Sequence, residues 1–289
     1  MNILYCVDET DNNYSRHVGV SLISLFESNK KQTINIYIIS STLKPENKAE
    51  LQRITDSYGQ KIHFFIGSVE KIISKSIQNT LIWNKEGGRP FTIFYRMFFS
   101  SVFPEITDRI LYLDSDTLIT KDLEKLYTQD FEGNTLIGGR DVSWMRYWKK
   151  QNLGIENYIN SGVLLINIPQ FIATDREKEL TSVNEKYGKV LTHYDQDYLN
   201  LIFKDHIKIV NYQINCLIYR PFFLPYNWRK ASILHTVNKP FAKPRIVPKD
   251  IAKFYTSCLE KTKRKHIKNG PRDNIAFLYS RISYLCVYF

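Results

Sequence analysis

Short apolar runs alternate along the chain with stretches whose apolar residues recur at helical spacing. Residues 2–7 form an apolar run that ends at Asp8. Residues 15–28 follow, and they carry one apolar side: Val18, Leu22, Leu25 and Phe26. A short apolar run rich in β-forming residues predicts a buried strand, whereas apolar residues three or four positions apart predict an amphipathic helix. The chain is therefore predicted to begin with a strand and a helix.

The same alternation continues through most of the sequence. Further strands are predicted at residues 33–39, 61–66, 109–113 and 134–138, and an apolar stretch covers residues 158–168. Helices are predicted at residues 45–58, 91–103 and 193–203, and from Pro169 onward. This order is typical of an α/β fold whose parallel or mixed sheet is covered on both faces by helices.

Three aspartates stand at the ends of predicted strands: Asp8, Asp114 and Asp141. Ligands of such sheets bind beyond the carboxyl ends of the strands. We therefore expect these carboxylates to converge on one crevice. The polar and aromatic segment 144–158 is predicted to be a loop near that crevice.

The composition is typical of a soluble globular protein, with 289 residues of which 43% are hydrophobic and 24% charged. Such a chain can bury a substantial core as one or two α/β domains. It has no run of eighteen apolar residues and no basic segment before a long apolar one, so neither a transmembrane helix nor a signal peptide is expected. The four cysteines form no CxxC pair, which argues against a zinc site and suits a reducing cytoplasm.

The net charge of +11 is concentrated near the C-terminus. Residues 243–289 contain seven Lys and four Arg against three acids, so the rest of the chain is nearly balanced. A nucleic-acid binder is the alternative that this charge suggests. The confinement of the basic residues to this segment and the absence of an RNP-like motif argue against it.

A basic run, residues 261–268, precedes an apolar and aromatic stretch at residues 274–289. That stretch carries apolar residues at helical spacing: Ile275, Leu278, Ile282 and Leu285. It is too short to span a bilayer, and the combination is typical of a helix at an anionic membrane surface. The alternative is a helix packed onto the domain, preceded by a solvated run of charges.

The apolar run 109–113 ends abruptly in Asp114 and Asp116. Burying two carboxylates at the end of a strand costs free energy unless a cation or strong hydrogen bonds compensate their charge. The pair therefore indicates a divalent metal. A solvated turn is the simpler alternative. An EF-hand loop is excluded, because Ile119 and Lys125 stand where it needs Gly and Glu.

The sequence lacks the common phosphate-binding motifs. Neither GxGxxG after the first strand nor GxxxxGK[ST] is present. If a nucleotide binds, a metal and basic side chains would have to hold its phosphates.

Three further polar groups are candidates for the same site. Asp195 and Gln196 lie at a predicted helix start, where helix capping is the alternative role. Asn160 begins a polar interruption of an apolar stretch, which is either a bulge or a contact to a sugar. His235 lies at the end of a predicted short strand, and a lone His in that position is more often structural than a ligand.

Together these segments resemble the family 8 glycosyltransferases, which are retaining enzymes. The resemblance extends from residue 2 to about residue 241 and rests on three blocks in order: YLDSD at 112–116, NSGVLLIN at 160–167 and DQDYLN at 195–200. It implies a GT-A fold, a mixed and mostly parallel sheet flanked by helices. Residues 1–250 would form that glycosyltransferase domain, and residues 251–289 would form a basic, amphipathic, helical membrane-association tail.

The resemblance also implies a role for individual residues. The metal, Mn²⁺ or alternatively Mg²⁺, would be held by Asp114, Asp116 and His235. The UDP-sugar donor would be bound by Asp8, Tyr14, Arg96, Asp114, Asp141, Asn160 and Lys239. The catalytic residues would be Asp195 and Gln196.

Two positions depart from the family pattern. The family usually has HxxGxxKPW, whereas residues 235–241 read HTVNKPF, and Lys243 before Pro244 offers a second register for the diphosphate lysine. Thr10 stands where many relatives carry Asn near the uridine.

The resemblance implies transfer of galactose or glucose from a UDP-sugar to a hydroxyl of a surface-glycan acceptor, such as lipopolysaccharide or O-antigen. No carboxylate nucleophile is evident, so front-face attack by the acceptor is the favoured route. The enzyme would be cytoplasmic and peripheral on the inner membrane face, with an oligosaccharide or glycolipid acceptor and no nucleic-acid partner. The alternative within the family is a catalytically impaired protein that binds sugar nucleotides.

Overall fold

A seven-stranded sheet lies at the centre of the part of the chain that the structure describes. The structure is a computed structural model, and it describes residues 1–9, 14–80, 91–141, 152–218, 228–236 and 249–263. The strands, numbered in chain order, are β1 Asn2–Cys6, β2 Asn35–Ser40, β3 Lys61–Ile66, β4 Arg109–Leu113, β5 Thr117–Ile119, β6 Leu136–Arg140, β7 Ile159–Asn167, β8 Ile207–Val210, β9 Cys216–Leu217 and β10 Ile233–His235.

The central sheet has the strand order β3-β2-β1-β4-β7-β6-β8. All neighbouring pairs are parallel except those that β7 makes with β4 and β6. The predicted sheet, mixed and mostly parallel, is therefore confirmed. Because β7 runs opposite to its neighbours, its first residues lie at the edge where β4 and β6 end.

Helices cover both faces of this sheet. The α-helices are Tyr14–Ser28, Pro45–Ser57, Lys75–Thr80, Phe99–Val102, Glu124–Tyr127, Ile168–Ala173, Arg176–Tyr187, Tyr194–Ile202 and Lys249–Glu260. Short 3₁₀ segments are Val69–Lys71, Phe91–Met97, Tyr212–Ile214 and Trp228–Lys230. Local chemistry sets several helix starts: Pro45 occupies a first-turn position, and Asp175 accepts a hydrogen bond from the Lys178 N–H at 3.2 Å.

The alternating direction of strand side chains builds two hydrophobic clusters, one on each face. Ile3 and Tyr5 of β1 belong to the first cluster, together with residues of the helices Tyr14–Ser28 and Lys249–Glu260. Leu4 belongs to the second, together with the aromatic residues of the segment 91–103 and the helix Tyr194–Ile202. The sheet is thus buried on both sides, as a parallel sheet requires.

The segment 91–103 differs from the single helix predicted for it. It forms the 3₁₀ helix Phe91–Met97 and the short α-helix Phe99–Val102, with Phe98 between them. Nearly all side chains of the 3₁₀ helix are buried, so packing on several sides decides its winding. Aromatic residues also have modest helix propensity, and tertiary contacts readily override it.

A second, three-stranded sheet has the order β5-β10-β9. β10 runs antiparallel to β5, with His235 opposite Thr117, and parallel to β9. The sequence predicted a short strand ending at His235 but gave no indication of β5 or β9. This small sheet places His235 beside the residues that follow β4.

The helix Lys249–Glu260 packs against the helix Tyr14–Ser28. Its inward residues are almost completely buried: Ile251, Ala252, Tyr255, Cys258 and Leu259. The Tyr255 hydroxyl lies 3.1 Å from the His17 Nδ1 atom. The predicted amphipathic stretch at residues 274–289 lies outside the described residues. Within the described ranges, no helix combines the length and apolar character needed to cross a membrane.

Candidate active site

Asp114 and Asp116 occupy the turn between β4 and β5. The Asp114 N–H donates to the Gly162 carbonyl oxygen at 2.8 Å, which ties the turn to the start of β7. The Asp116 carbonyl oxygen accepts the Thr236 N–H at 3.1 Å, which ties it to the residue after β10. The backbone thus holds both acids between the two sheets.

His235 completes a cluster with these two acids. Its Nε2 atom lies 3.2 Å from Asp116 Oδ1 and 3.5 Å from Asp114 Oδ2. One ligand atom from each of the three residues lies within 4.8 Å of the others. Two carboxylates and one imidazole fit a divalent ion such as Mn²⁺. The predicted metal ligands are therefore brought together.

Gly162 allows this close approach. A Cβ atom on it would lie 2.1 Å from His235 Cε1 and 2.7 Å from Asp114 Oδ2. Both distances are far below van der Waals contact. Any residue other than glycine at this position of β7 would therefore displace the His235 ring.

Burial and neighbouring charges act against each other in the cluster. Burial alone lowers the pKa of His235, but the charges of Asp116 and Asp114 raise it above its ordinary value. Burial raises the pKa of Asp114, whereas Arg96 and His235 lower it, and the net effect is a lowered pKa. Asp114 is therefore held as a carboxylate.

Arg96 is buried beside the acids and joins two of them. Its guanidinium lies 3.1 Å from Asp114 Oδ1 and 3.3 Å from Asp195 Oδ2. It also donates to the Ser161 carbonyl oxygen at 2.8 Å, and its Cζ lies 4.1 Å from the centre of the Tyr112 ring. Burial lowers the pKa of Arg96, but Asp195 and Asp114 more than reverse this, so the cation persists.

Gln196 lies at the start of the helix Tyr194–Ile202 and is held by four hydrogen bonds. Its Oε1 accepts the Ser161 N–H and the Asn160 amide, both at 3.0 Å. Its Nε2 donates to Asp141 Oδ2 at 3.1 Å and to the Tyr158 hydroxyl at 3.2 Å. The side chain is 8% exposed, so these contacts fix its orientation.

Most of the predicted site residues therefore meet at one edge of the central sheet. Those brought together are Arg96, Asp114, Asp116, Asp141, Asn160, Asp195, Gln196 and His235. Asp8 follows β1 at the same edge, where its Oδ1 lies 3.5 Å from Thr42 Oγ1. Tyr14 is the first residue of its helix, and its ring meets His17 edge-on at 6.4 Å between centroids. Lys239, Lys243 and Thr10 lie outside the described residues.

Sequence reasoning missed three residues that build the site. Tyr112 donates from its hydroxyl to Asp114 Oδ1, and its place in the YLDSD block could have marked it. Asn200, in the DQDYLN block, binds both backbone groups of Ile159 at 2.8 Å. Asn215 bonds to both Asn160 and His235, and nothing in its local sequence distinguishes it.

Comparison with known proteins identifies related sequences. The family model "Glycosyl transferase family 8" matches residues 2–241. A lipopolysaccharide 1,2-glucosyltransferase of Escherichia coli is 29% identical over 75% of this chain. A lipopolysaccharide 1,3-galactosyltransferase of Salmonella typhimurium is 23% identical over 74% of it. The chain spans only 62% and 63% of the lengths of these two relatives.

The fold resembles that of solved structures. The crystal structure of the galactosyltransferase LgtC with donor and acceptor sugar analogues superposes with a TM-score of 0.73 at 21% identity. The superposition covers 93% of this chain and 98% of LgtC. This likeness establishes the GT-A type of fold that the sequence predicted.

Proposed function

Because the chain belongs to glycosyl transferase family 8, we propose that it transfers a hexose from a UDP-sugar to an acceptor hydroxyl with retention of configuration. Galactose or glucose is the proposed sugar, and a lipopolysaccharide or similar surface glycan the proposed acceptor, in keeping with the names of its relatives. The observation that carries this proposal is the convergence of Asp114, Asp116 and His235 beside Gln196.

Asp114, Asp116 and His235 would hold Mn²⁺, with Mg²⁺ as the other candidate. A bound ion of this kind acts as a Lewis acid and offsets charge on a diphosphate leaving group. Mixed oxygen and imidazole ligation favours Mn²⁺ over Mg²⁺. The lowered pKa of Asp114 supports this role, because the residue is already ionised and needs no proton loss to act as a ligand.

Arg96, Asp195 and Asp141 would shape the donor-sugar pocket. Arg96 holds Asp114 and Asp195 in fixed positions through its two ion pairs. Asp195 and Asp141 offer oxygens suited to sugar hydroxyls, and Asn160 would contribute through its amide NH₂ group, because its Oδ1 already accepts two hydrogen bonds. Arg96 would also contribute positive charge close to the departing diphosphate.

Gln196 would stabilise the reacting centre rather than attack it. An amide oxygen has two lone pairs, and Gln196 Oε1 already accepts two hydrogen bonds from Ser161 and Asn160. Its nucleophilicity is therefore low. Front-face attack by the acceptor hydroxyl, with Gln196 and Asp195 adjoining the anomeric carbon, is the route we favour.

The remaining donor contacts and the location of the enzyme rest on the sequence. Asp8 and Tyr14 are proposed to contact the uridine, and Lys239, or Lys243 in the second register, to bind the diphosphate. We propose that the enzyme acts at the cytoplasmic face of the membrane, where its basic C-terminal segment would attach to anionic lipid.

The proposal predicts that Asp116→Asn loses metal-dependent transfer. Asparagine keeps the shape of the side chain but removes a negative ligand opposite His235 Nε2. Losing an outer-shell partner typically costs about 10–100-fold, so losing a ligand should cost more than about 100-fold. The measurement is release of UDP from UDP-galactose and UDP-glucose at varied Mn²⁺.

Asp205→Asn is the matched control. The Asp205 side chain is 78% exposed and pairs only weakly with Lys204, so this variant should retain full activity. Both variants should keep the thermal unfolding midpoint of the parent. Full Mn²⁺-dependent activity in Asp116→Asn would overturn the metal assignment, and no UDP release from any UDP-hexose by the parent would overturn the proposed donor.

A further inference from the structure

Two side-chain amides, those of Asn160 and Asn215, link Gln196 to His235 through the interior of the site. Asn160 donates from Nδ2 to Gln196 Oε1 at 3.0 Å, and Asn215 donates from Nδ2 to Asn160 Oδ1 at 2.9 Å. The Asn215 Oδ1 atom lies 3.1 Å from His235 Nδ1. We call Gln196, Asn160 and Asn215 the amide network. All three are at most 8% exposed, so water does not compete for these bonds.

Two backbone donors fix the direction of every bond in the amide network. The Ser161 N–H points at Gln196 Oε1, and the Gly162 N–H points at Asn160 Oδ1, each at 3.0 Å. A backbone N–H can only donate, so both of these side-chain atoms must be oxygens. These two donors therefore determine which side-chain atom of each amide is the oxygen and which is the nitrogen.

The same logic extends from Asn160 to His235. Because Asn160 presents its oxygen, Asn215 must direct its NH₂ group towards it and its Oδ1 towards the imidazole. An oxygen can only accept, so the Nδ1 atom of His235 must carry a proton. In the neutral ring the proton is then absent from Nε2, the atom that faces Asp114 and Asp116.

Close packing fixes the position of Asn215. It is 2% exposed and follows the 3₁₀ helix Tyr212–Ile214 directly before β9. Its Cβ packs against β6 at Gly139, where an added Cβ would lie 2.9 Å from it. The position of Asn215 thus depends on a glycine in the neighbouring strand.

We propose that Asn215 is a positioning residue that holds His235 with Nε2 unprotonated and aimed at the metal site. This inference rests on the proposed function, since it takes Asp114, Asp116 and His235 as metal ligands. Outer-shell partners of ligating histidines fix the tautomer and the ring orientation. Through Asn160, the amide network also couples His235 to the residue beside the reacting carbon, Gln196.

The test compares two substitutions of similar size at residue 215. Asn215→Asp keeps an oxygen that accepts from His235 Nδ1 but loses the donor to Asn160 Oδ1, whereas Asn215→Leu offers neither group. Mn²⁺ affinity, measured from the electron paramagnetic resonance signal of free Mn²⁺, should fall about 10–100-fold in Asn215→Leu. It should stay within about threefold of the parent in Asn215→Asp, because the acceptor that fixes the tautomer is kept.

Asn211→Asp is the control for adding a carboxylate to the same part of the chain, four residues before Asn215. Asn211 is exposed, and Asp can replace its acceptor bond from the Gln213 N–H. This control should bind Mn²⁺ like the parent. A role in packing alone would weaken Mn²⁺ binding equally in both variants at residue 215, and that result would overturn the proposal.

A second measurement needs no substitution at residue 215. In the metal-free protein, at a pH where the ring is neutral, ¹⁵N–¹H correlation spectra should show the His235 proton on Nδ1, with the resonance assigned by its loss in His235→Gln. A proton on Nε2 would overturn the proposal even if Asn215→Leu failed to fold. If the parent bound no Mn²⁺, the proposed function would fail, while the tautomer would still test the amide network.

Discussion

Among the described glycines, Gly162 has the least room for a side chain, because His235 and Asp114 both approach the position of its Cβ. We predict that Gly162→Ala displaces the His235 ring and weakens Mn²⁺ binding more than about tenfold, by disturbing a ligand directly. Overpacking should also destabilise the fold by about 1–3 kcal/mol. Mn²⁺ titration and urea unfolding measure the two effects.

Gly67→Ala is a suitable comparison for that prediction. A Cβ on Gly67 would lie 3.2 Å from the ring of Phe65, which is only partly buried and can move. Gly67 is also remote from the metal cluster in sequence and stands after an edge strand, β3. Unchanged Mn²⁺ affinity in Gly162→Ala would mean that His235 is not held where the metal needs it.

At this scale the sequence identified residues that lie in contiguous blocks. Asp114 and Asp116 follow an apolar strand, and Asp195 and Gln196 begin a helix, so their sequence neighbours are enough to identify them as candidates. Asn215 could not be found in this way. Its partners, His235 and Asn160, are 20 and 55 residues away, and only the folded backbone brings them together.

Among the elements, the contact between β7 and the helix Tyr194–Ile202 determines where Gln196 lies. Asn200 makes this contact by accepting the Ile159 N–H and donating to the Ile159 carbonyl oxygen, both at 2.8 Å. Its Nδ2 also donates to the Gln196 carbonyl oxygen at 2.8 Å, within the same helix. One buried side chain thus joins the first residue of β7 to the first turn of the helix.

We predict that Asn200→Leu destabilises the protein and impairs transfer. Leucine leaves the N–H and carbonyl oxygen of Ile159 without their partner, at about 1–3 kcal/mol for each buried group. Gln196 should then lose its alignment with Ser161 and Asn160. Urea unfolding gives the change in the free energy of unfolding, and UDP release gives the change in activity.

Asn157→Leu provides the comparison for Asn200→Leu. Asn157 is exposed two residues before Ile159, and its hydrogen bond from Arg140 is also exposed, so the substitution should change stability by less than about 0.5 kcal/mol. If Asn200→Leu were equally harmless, the contact between the helix and β7 would not depend on Asn200.

The sequence predicted the longer strands better than the short ones. Five strands of the central sheet, β1, β2, β3, β4 and β6, begin within two residues of their expected starts, and β7 lies in the predicted apolar stretch 158–168, whereas the four-residue β8 was not predicted. β5 and β9 contain three and two residues, too few to show a period. The direction of β7 depends on pairing with β4, which no local pattern encodes.

For the whole molecule, the folded unit extends beyond the helix Lys249–Glu260. Thr262 is 4% exposed, and the Lys263 N–H donates to Glu50 Oε1 at 2.8 Å. Lys261 pairs with Glu27, and hydrogen bonds from Lys261 and Tyr58 lower the pKa of Glu27 to about 2, so Glu27 is ionised at neutral pH. The first basic residues of the C-terminal segment therefore belong to the packed domain.

We predict that deleting residues 264–289 separates membrane binding from folding. The remaining chain keeps every described contact of the helix Lys249–Glu260, so its unfolding midpoint and its activity on a soluble acceptor should match those of the full chain. The deleted segment carries five Lys and Arg against one Asp, and each basic residue near an anionic surface contributes on the order of 1 kcal/mol. Co-sedimentation with phosphatidylglycerol vesicles should therefore be lost.

A full-length variant with Arg264, Lys265 and Lys268 changed to Gln distinguishes charge from apolar insertion. It retains the amphipathic stretch, so it should bind the same vesicles more weakly than the parent and with less dependence on salt. Undiminished vesicle binding after the deletion would assign membrane attachment to the domain itself. A large fall in the unfolding midpoint would instead favour the other interpretation of the sequence, in which residues 274–289 pack onto the domain, because only a packed helix contributes to the free energy of unfolding.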